Sequence, residues 1–492
     1  MNDKNQLTGS MKQMMKYFGL TAMAVMSLLA CTRAQVEQPV QKTITLTTTI
    51  NLGGEEDEDS KALSAEGVKT FAVGEQVAVI YRGAWNDYIG KVVSSALKAE
   101  DIYPGGKKAR ITVALPSEGA YEVQNGGKFR IIYPASMAKD NPAVVDGDGN
   151  LNLSALDTQD GTLLSLAKYL DLGVYDGYFE TAAFPSSISL TNRLAICEFN
   201  VFVDGVDKTD TITQLTFANG ANTYTINRAA SAGPIYVAVQ PVTSGDIVIT
   251  ASDSDTNKAY SKTVSGKTLL AGKMYPINLK GVAVMLSSLT EHYEAKNGDV
   301  LTGTPGSSIR VSIAAGATVT LQDVNINADN LVFPGIKCEG SATLILVGNN
   351  VVNGRHQDYA GIYPGPAGST LTIQGNGSLS ASSGAAPGIG SSSGDSSFIH
   401  CGNIEIEGGT IVASGGSKSP GIGSGAGSDI IVDKPSCGSI TIANTVTQVT
   451  VSKGTYAAYS IGPGQGGSTC GTVTVGGNVV GPITTSPYIY AP

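Results

Sequence analysis

Pro387-Gly388-Ile389 and Pro420-Gly421-Ile422 are two copies of the short pattern that decides the fold of the C-terminal part of this chain. The pattern, a small residue followed by Gly and Ile, also begins at Pro334 and Ala360, and a weaker copy begins at Tyr459. Self-similarity at intervals of roughly 20 to 50 residues is the signature of coils that stack on one another. The pattern therefore predicts a solenoid, which we assign to residues 282–492.

The physical reason for stacking is that one such coil cannot bury its own apolar side chains. Coils stacked about 4.8 Å apart form parallel sheets with continuous inner columns of Ile, Val and Leu. Short alternating strands follow each start, and the last three begin at Cys401, Cys437 and Cys470. Glycine runs such as Gly421 to Gly427 suit corners that need a positive φ angle. We expect a right-handed parallel β-helix.

The N-terminus carries an export signal. Lys16 precedes an apolar run from Phe18 to Leu29, which closes with Ala30 and Cys31. A short apolar run that ends in a small residue and Cys is the pattern of a bacterial lipoprotein signal. The sequence predicts a signal peptide over residues 1–30, cleavage between Ala30 and Cys31, and a lipid on Cys31 that holds the precursor in the outer membrane.

Charge and cysteine content limit the chemistry of the chain. The net charge of −9 over 492 residues and the pI near 5.0 argue against nucleic acid as a partner. Cys401, Cys437 and Cys470 occupy equivalent places in three coils, so we expect them to stack. Adjacent rungs lie within the Cα separation of a disulfide, so a buried thiol ladder and a disulfide both remain open. No cysteine or histidine spacing indicates a metal, and no cofactor is predicted.

Residues 31–281 read as all-β, because short alternating strands recur between clusters of turn residues. Thr43 to Ile50 forms a first strand rich in threonine, and Gln76 to Tyr81 follows it. Further strands begin at Ala109, Ile196 and Gly233. We predict two tandem β-sandwiches, at residues 31–185 and 186–281, each large enough to bury a core.

The order of these features resembles the fimbrillin family of pilins. The resemblance is carried by the lipoprotein signal, the first Thr-rich strand, the acidic linker Gly53 to Ser60, and the segments Phe71 to Tyr81, Leu194 to Phe199 and Leu270 to Leu279. Members are exported as lipoproteins by Gram-negative anaerobes and join other fimbrial subunits by strand exchange. The resemblance implies that a protease cuts after a basic residue, removes the first strand and leaves a groove for a neighbour's strand.

In this chain the strand to be removed would be Thr43 to Leu52. The basic residues in the right window are Lys61 and Lys69, where the family typically has Arg. A shaft subunit also needs a donor strand at its end, and Pro487 and Pro492 make residues 484–492 a poor strand. We therefore expect a fimbrium tip subunit for cell adhesion, with the solenoid as its adhesion domain at the cell surface.

The solenoid's own chemistry favours binding over catalysis. Tyr359 and Tyr363 are candidate rings for stacking on host or bacterial surface glycans. Glycosidic bond hydrolysis needs two carboxylates about 5 to 9.5 Å apart in a cleft, whereas Glu405 and Glu407 read as solvated strand residues. Gly390 to Gly394 matches G-x-S-x-G without the strand-turn-helix setting that a nucleophile needs. No catalytic residue is predicted; the alternative is an anchored lipoprotein that binds or degrades polysaccharide without polymerising.

Overall fold

The chain is all-β, as predicted. A computed structural model describes residues 42–52, 70–84, 88–140, 144–167, 172–327, 329–394, 397–428 and 432–492. Two short α-helices, α1 (Ala135–Asp140) and α2 (Leu163–Ser165), are present there beside four 3-10 turns at Ala99–Asp101, Leu153–Ala155, Thr209–Thr211 and Leu286–Ser288. In these ranges no helix is both long and apolar enough to cross a membrane.

The N-terminal part forms two sheets that enclose one core, which we call the first unit (residues 42–192). Its sheets have the strand orders β4-β1-β8 and β3-β2-β5-β7-β9. Alternating side chains of both sheets meet between them, among them Ile111, Val113, Phe129 and Ile131. The strands are β1 (Thr43–Asn51), β2 (Ala78–Arg82), β3 (Ile89–Val93), β4 (Lys108–Pro116), β5 (Lys128–Tyr133), β6 (Thr158–Gln159), β7 (Gly173–Tyr178), β8 (Ser187–Ser189) and β9 (Thr191–Asn192).

A second unit (residues 195–279) again has two sheets around a core that contains Phe199, Phe217 and Tyr224. One sheet pairs β10 with β11, β14 and β17, and the other pairs β12 with β13 and β15, and β15 with β16. The strands are β10 (Ala195–Val203), β11 (Val206–Asp207), β12 (Ile212–Ala218), β13 (Thr223–Asn227), β14 (Ile235–Val239), β15 (Ile247–Asp253), β16 (Lys258–Val264) and β17 (Met274–Leu279).

Strand pairing groups β8 and β9 with the first unit, whose last strand ends at Asn192. Both β8 and β9 pair with strands of the first unit, because β8 lies beside β1 and β9 lies beside β7. Strand β6 belongs to the N-terminal part of the chain, but it pairs with β13 of the second unit. Gln159 of β6 also donates to the carbonyl of Ala238 at 2.7 Å.

The remaining residues form a coil stack (residues 283–490). Its strands are β18 (Ala283–Met285), β19 (Tyr293–Ala295), β20 (Val300–Gly303), β21 (Val311–Ile313), β22 (Thr318–Ile326), β23 (Ile336–Cys338), β24 (Ala342–Val347), β25 (Asn349–Asn353), β26 (Ile362–Tyr363), β27 (Thr370–Gly375), β28 (Ser378–Ser382), β29 (Ile389–Gly390), β30 (Asn403–Ile406), β31 (Thr410–Ser414), β32 (Ile422–Gly423), β33 (Ser436–Cys437), β34 (Ile440–Ile442), β35 (Gln448–Ser452), β36 (Ile461–Gly462), β37 (Thr469–Cys470), β38 (Val473–Val475), β39 (Asn478–Val479) and β40 (Tyr488–Tyr490).

Three ladders of parallel strands run through the coil stack. One joins β20, β22, β24, β27, β30, β34 and β38, a second runs from β22 through β25 to β35, and a third from β19 to β36. The five isoleucines of the sequence pattern lie in register in the third ladder, in the order Ile336, Ile362, Ile389, Ile422 and Ile461. Each is fully buried. Successive pattern starts therefore occupy the same position in successive coils.

A glycine follows each of the last three isoleucines, and the distance between coils leaves no room for a side chain at these positions. Gly390 and Gly423 have φ angles of +151° and +143°, which L side chains rarely adopt. A Cβ atom on Gly390 would lie 1.7 Å from the carbonyl oxygen of Gly423, and one on Gly423 would lie 1.9 Å from that of Gly462. The column accepts only glycine, because the next coil already occupies the space.

The second unit and the coil stack share a sheet and a core. Strand β18 pairs antiparallel with β16 of the second unit and parallel with β20 of the coil stack. One hydrophobic cluster extends from Phe199 through Leu301 to Ile461. The coil stack therefore starts on a preformed strand edge, which supplies the first rung of its sheet.

The other end of the coil stack is closed by reversed strands. Strand β39 pairs antiparallel with β38, β40 pairs antiparallel with β35, and Ile483 bridges Ile461. Each of the three ladders thus ends on an antiparallel segment. Such closure satisfies backbone groups that an open strand edge would offer to another chain.

A buried arginine ties three successive coils together. Arg355 is 1% exposed, and its Nε donates to Asp329 Oδ1 at 2.9 Å while Nη2 pairs with Asp329 Oδ2. Its other donors reach the carbonyl oxygens of Ile309, Gly306 and Ser307 at 2.8 to 3.1 Å. Each of the three guanidinium nitrogens therefore donates at least one hydrogen bond, and the buried charge is paired with the Asp329 carboxylate.

Replacing Arg355 tests whether its hydrogen bonds hold the three coils together. Arg355→Met leaves the Asp329 carboxylate and three carbonyls without their partner, so we expect the free energy of unfolding to fall by about 3 to 5 kcal/mol. Urea titration of the full chain measures it. Arg110→Met is the matched control, since Arg110 is half-exposed and pairs with Asp101 at the surface; its loss should stay below about 1 kcal/mol. Equal losses in the free energy of unfolding in the two variants would contradict this role of Arg355.

Truncation tests the closing segment. A chain that ends at Gly477 loses β39, Ile483 and β40 together and leaves three strand edges open, so we expect association that increases with protein concentration. Size-exclusion chromatography with light scattering measures the molar mass, and a chain that ends at Tyr490 keeps every closing contact as the control. A monomeric short chain with unchanged stability would show that these segments do not protect the edges.

Candidate functional site

The strand expected to be exchanged, β1, lies in the middle of its sheet. All nine residues of β1 pair antiparallel with β4, from Thr43 opposite Pro116 to Asn51 opposite Lys108. On the other side Thr49, Ile50 and Asn51 pair parallel with β8. The Thr48 hydroxyl donates to the carbonyl of Pro185 at 2.5 Å. Loss of β1 would therefore open a slot between two strands, with unpaired backbone groups on both walls.

The slot would also be apolar. Leu46 lies opposite Val113 and Ile44 opposite Leu115, and both partners on β4 are fully buried. Ile111, opposite Thr48, is 1% exposed. Full exposure of three such side chains costs up to about 9 kcal/mol, at 1.5 to 3 kcal/mol each. An extended segment with apolar residues at alternate positions is the chemical complement of this slot.

Four predicted processing residues lie outside the described residues. They are Ala30 and Cys31 at the signal cleavage point and Lys61 and Lys69 in the linker. Lipidation at Cys31 and cleavage after Lys61 or Lys69 therefore stay predictions.

Tyr359 and Tyr363 are packed side chains in this structure, so neither ring face is open to a sugar. Tyr359 is 9% exposed and Tyr363 is 4% exposed. Phe398 lies against both, with ring centroids 5.9 and 5.1 Å away, and also contacts Phe333. The Tyr363 hydroxyl donates to the carbonyl of His400 at 2.8 Å, and burial raises its pKa. The prediction of a glycan platform at these two rings does not fit this packing.

The G-x-S-x-G match is an internal part of the coil stack. Ser391 and Ser392 are fully buried, and Ser393 is nearly so. Ser391 Oγ accepts from the Gly425 amide at 2.9 Å, and Ser393 Oγ donates to the carbonyl of Ala385 at 3.0 Å. These hydroxyls satisfy backbone groups of neighbouring coils, which leaves no exposed serine nucleophile at this motif.

A relay that the sequence analysis missed joins two loops of the coil stack. His400 Nδ1 lies 2.8 Å from Ser436 Oγ, and His400 Nε2 lies 2.9 Å from Asp433 Oδ1. The order Ser-His-Asp resembles a hydrolytic relay, but the Asp433 side chain is 71% exposed. The Ser436 amide donates to the carbonyl of Ile399, which also joins the two loops. An exposed carboxylate contributes little to holding a charged imidazole. The contact is better explained as a link between adjacent coils.

Cys437 and Cys470 stack as the spacing predicts, since they are in register on β33 and β37. All five cysteines among the described residues are free thiols. The Cys437 thiol donates to the carbonyl of Gly402, and the Cys470 thiol to that of Gly438. The hydrogen bond with Cys401 together with burial raises the pKa of Cys437 well above its usual range. Such thiols react slowly, because the thiolate is the nucleophile.

The outer faces of the coil stack carry columns of small polar side chains. Thr318, Thr343, Thr372, Glu405, Thr441 and Thr474 are in register along the first ladder. The second ladder has Ser378 Oγ donating to Asn349 Oδ1 at 2.8 Å, and Ser382 Oγ to Asn353 Oδ1 at 2.6 Å. At the corner between these faces a shallow recess of about 490 Å³ has Gly348, Gly375 and Gly377 in its lining. These faces offer hydroxyl and amide groups in regular rows.

Solved structures of several bacterial proteins are similar to this one at low identity. A presumed cell adhesion protein from Bacteroides fragilis NCTC 9343 is 12% identical with a TM-score of 0.28, over 47% of this chain and 92% of the other. A fimbrial assembly protein from Parabacteroides distasonis ATCC 8503 is 13% identical with a TM-score of 0.27, over 49% and 92%. The pilus adhesin SpaC from Lactobacillus rhamnosus GG is 15% identical with a TM-score of 0.18, over 49% and 25%.

These likenesses are too low to carry a functional argument. Neither a protein-family model nor a curated protein matches the chain.

Proposed function

We propose that this protein is a fimbrial subunit that is exported as a lipoprotein, loses β1 by proteolysis and joins its neighbour by strand exchange. In this proposal the first and second units are tandem pilin-like β-sandwiches, and the coil stack is a right-handed β-helix. The observation that carries the proposal is the placement of β1 in the middle of its sheet. Its position between β4 and β8 makes it the strand whose loss opens a slot for a partner.

We further propose that the subunit occupies the filament tip, and contacts near the end of the coil stack support this position. Residues 478–490 are used to close the three ladders of the coil stack, so they are not free to enter a neighbour's slot. In the proposed tip position these residues close the coil stack and do not act as a donor strand. The coil stack would then be displayed for cell adhesion, with its polar outer rows available for contact with surface glycans, and no catalytic step is proposed.

The second candidate is an anchored lipoprotein that binds or degrades polysaccharide without forming filaments. The regular rows of Thr, Ser and Asn on the coil stack favour it, since they suit an extended glycan equally well on an anchored protein. In that case β1 stays in place throughout the life of the protein, so β1 release separates the two candidates.

Strand exchange can be measured directly. A protease site placed within residues 53–60 allows β1 to be cut from the full chain, after which a biotinylated peptide of residues 42–52 is added. We expect the cut chain to capture the peptide, because the slot regains its backbone pairs and its apolar contacts. Capture on streptavidin and the change in Tm give the extent of exchange.

The matched control peptide carries Ile44→Asp, Leu46→Asp and Ile50→Asp, which keep the backbone and remove the apolar row. The uncut chain is the second control. We expect no capture of the control peptide by the cut chain and no capture of the natural peptide by the uncut chain. Equal capture of both peptides, or no capture of the natural peptide by a folded cut chain, would contradict strand exchange.

A further inference from the structure

The recess at the corner between the first and second ladders runs along the coil stack over three successive coils. Its lining includes Asn349, Ser378 and Thr410, which are in register on β25, β28 and β31. Adjacent strands lie about 4.8 Å apart, so this polar column is about 10 Å long. We call the recess with this column the corner groove. Its volume of about 490 Å³ lies in the range of small-ligand sites, about 300 to 1,000 Å³.

The corner groove stays open because two glycines in its lining cannot be replaced by larger residues. A Cβ atom on Gly375 would lie 2.5 Å from the carbonyl oxygen of Leu346, and one on Gly377 would lie 2.7 Å from the amide nitrogen of Val347. Both positions are blocked by the neighbouring coil, so backbone forms this part of the groove. The shape is therefore set before any ligand arrives, which lowers the entropic cost of binding.

Apolar and polar groups lie side by side in the corner groove. Val347 is 43% exposed, and it lies next to the polar column. Ser378 Oγ donates to Asn349 Oδ1 at 2.8 Å, which fixes the Asn349 side chain. The Asn349 side-chain nitrogen carries two further donor hydrogens. A pyranose has apolar C–H faces and a rim of hydroxyl groups, so it complements both kinds of surface.

The corner groove is also uncharged. Among the described residues that line it, none carries a formal charge. One carboxylate lies next to it, since Asp323 Oδ1 accepts from the backbone amide of Asn349 at 2.8 Å. The column continues beyond the groove to Gln448 of β35, which is neutral as well. A neutral ligand fits these surroundings, whereas an acidic one would be repelled by Asp323.

We propose that the corner groove binds a neutral glycan whose pyranoses form an extended chain along the axis of the coil stack. When the bonds at carbons one and four are both equatorial, each ring advances the chain by nearly the distance between two coils. Successive rings then meet Asn349, Ser378 and Thr410 in turn. This inference rests on the proposed function, which assigns glycan contact to the coil stack, and it specifies the class of glycan and the place of contact.

Binding of defined hexasaccharides to the full chain tests the proposal. Cellohexaose, mannohexaose and hexa-N-acetylchitohexaose are the extended neutral probes. Hexamannuronic acid has the linkage of mannohexaose with added carboxylates, and maltohexaose is neutral but curved. Titration calorimetry should detect at least one extended neutral probe, with an affinity that is independent of salt because no ion pair forms. The two control sugars should bind at least tenfold more weakly.

Two substitutions locate the site. Asn376→Trp fills the corner groove from an exposed turn, and Val347→Asp puts a charge beside the polar column. Each should weaken binding of the extended probe by at least tenfold, with an unchanged Tm. Val479→Asp is the matched control, since Val479 is 72% exposed at the closed end of the coil stack, and it should leave the affinity unchanged.

The outcomes separate this inference from strand exchange. Failure of all three extended probes to bind, equal binding of either control sugar, or full affinity in both groove variants would overturn the inference, even where the cut chain captures the β1 peptide. Glycan binding in the groove by a chain that captures no peptide would contradict strand exchange alone.

Discussion

The column of stacked isoleucines is the interaction on which most of the molecule depends. Each coil presents one face of short strands that cannot be buried within that coil, so its apolar side chains are covered only by the coils above and below. The distance between coils then fixes the corners, where Gly390 and Gly423 have a carbonyl oxygen in the place of a side chain. The stacking of coils also leaves two open ends. The second unit covers one through β16 and β18, and the C-terminal residues cover the other.

The sequence predicted those parts of the fold that repeat or alternate. The pattern starts correspond to one register column, because a periodic sequence constrains the same contact many times. The stacking of Cys437 on Cys470 in adjacent coils was predicted for the same reason. Strands β8 and β9 are three and two residues long, too short to be recognised from alternation, so local sequence could not assign them to either unit. Their place in the first unit is decided by pairing with β1 and β7, which are distant in sequence.

The candidate site residues were harder to predict for a related reason. Tyr359 and Tyr363 are buried by Phe398, which lies more than 30 residues further along the chain, so local sequence gave no sign of that cover. The contacts of His400 with Asp433 and Ser436 and those of Arg355 with Gly306 and Asp329 also join different coils. Contacts between coils depend on loop paths, and the loops differ in length from one coil to the next.

The proposed strand exchange rests on the fate of β1, and the N-terminus of the protein isolated from cells reports that fate. N-terminal sequencing and lipid analysis should be done on protein from sheared surface filaments and, separately, from the outer membrane. The account predicts an N-terminus just after Lys61 or Lys69 in the filament fraction. A lipidated Cys31 found only in the outer membrane, with no processed form in filaments, would contradict it and leave an anchored glycan-binding lipoprotein.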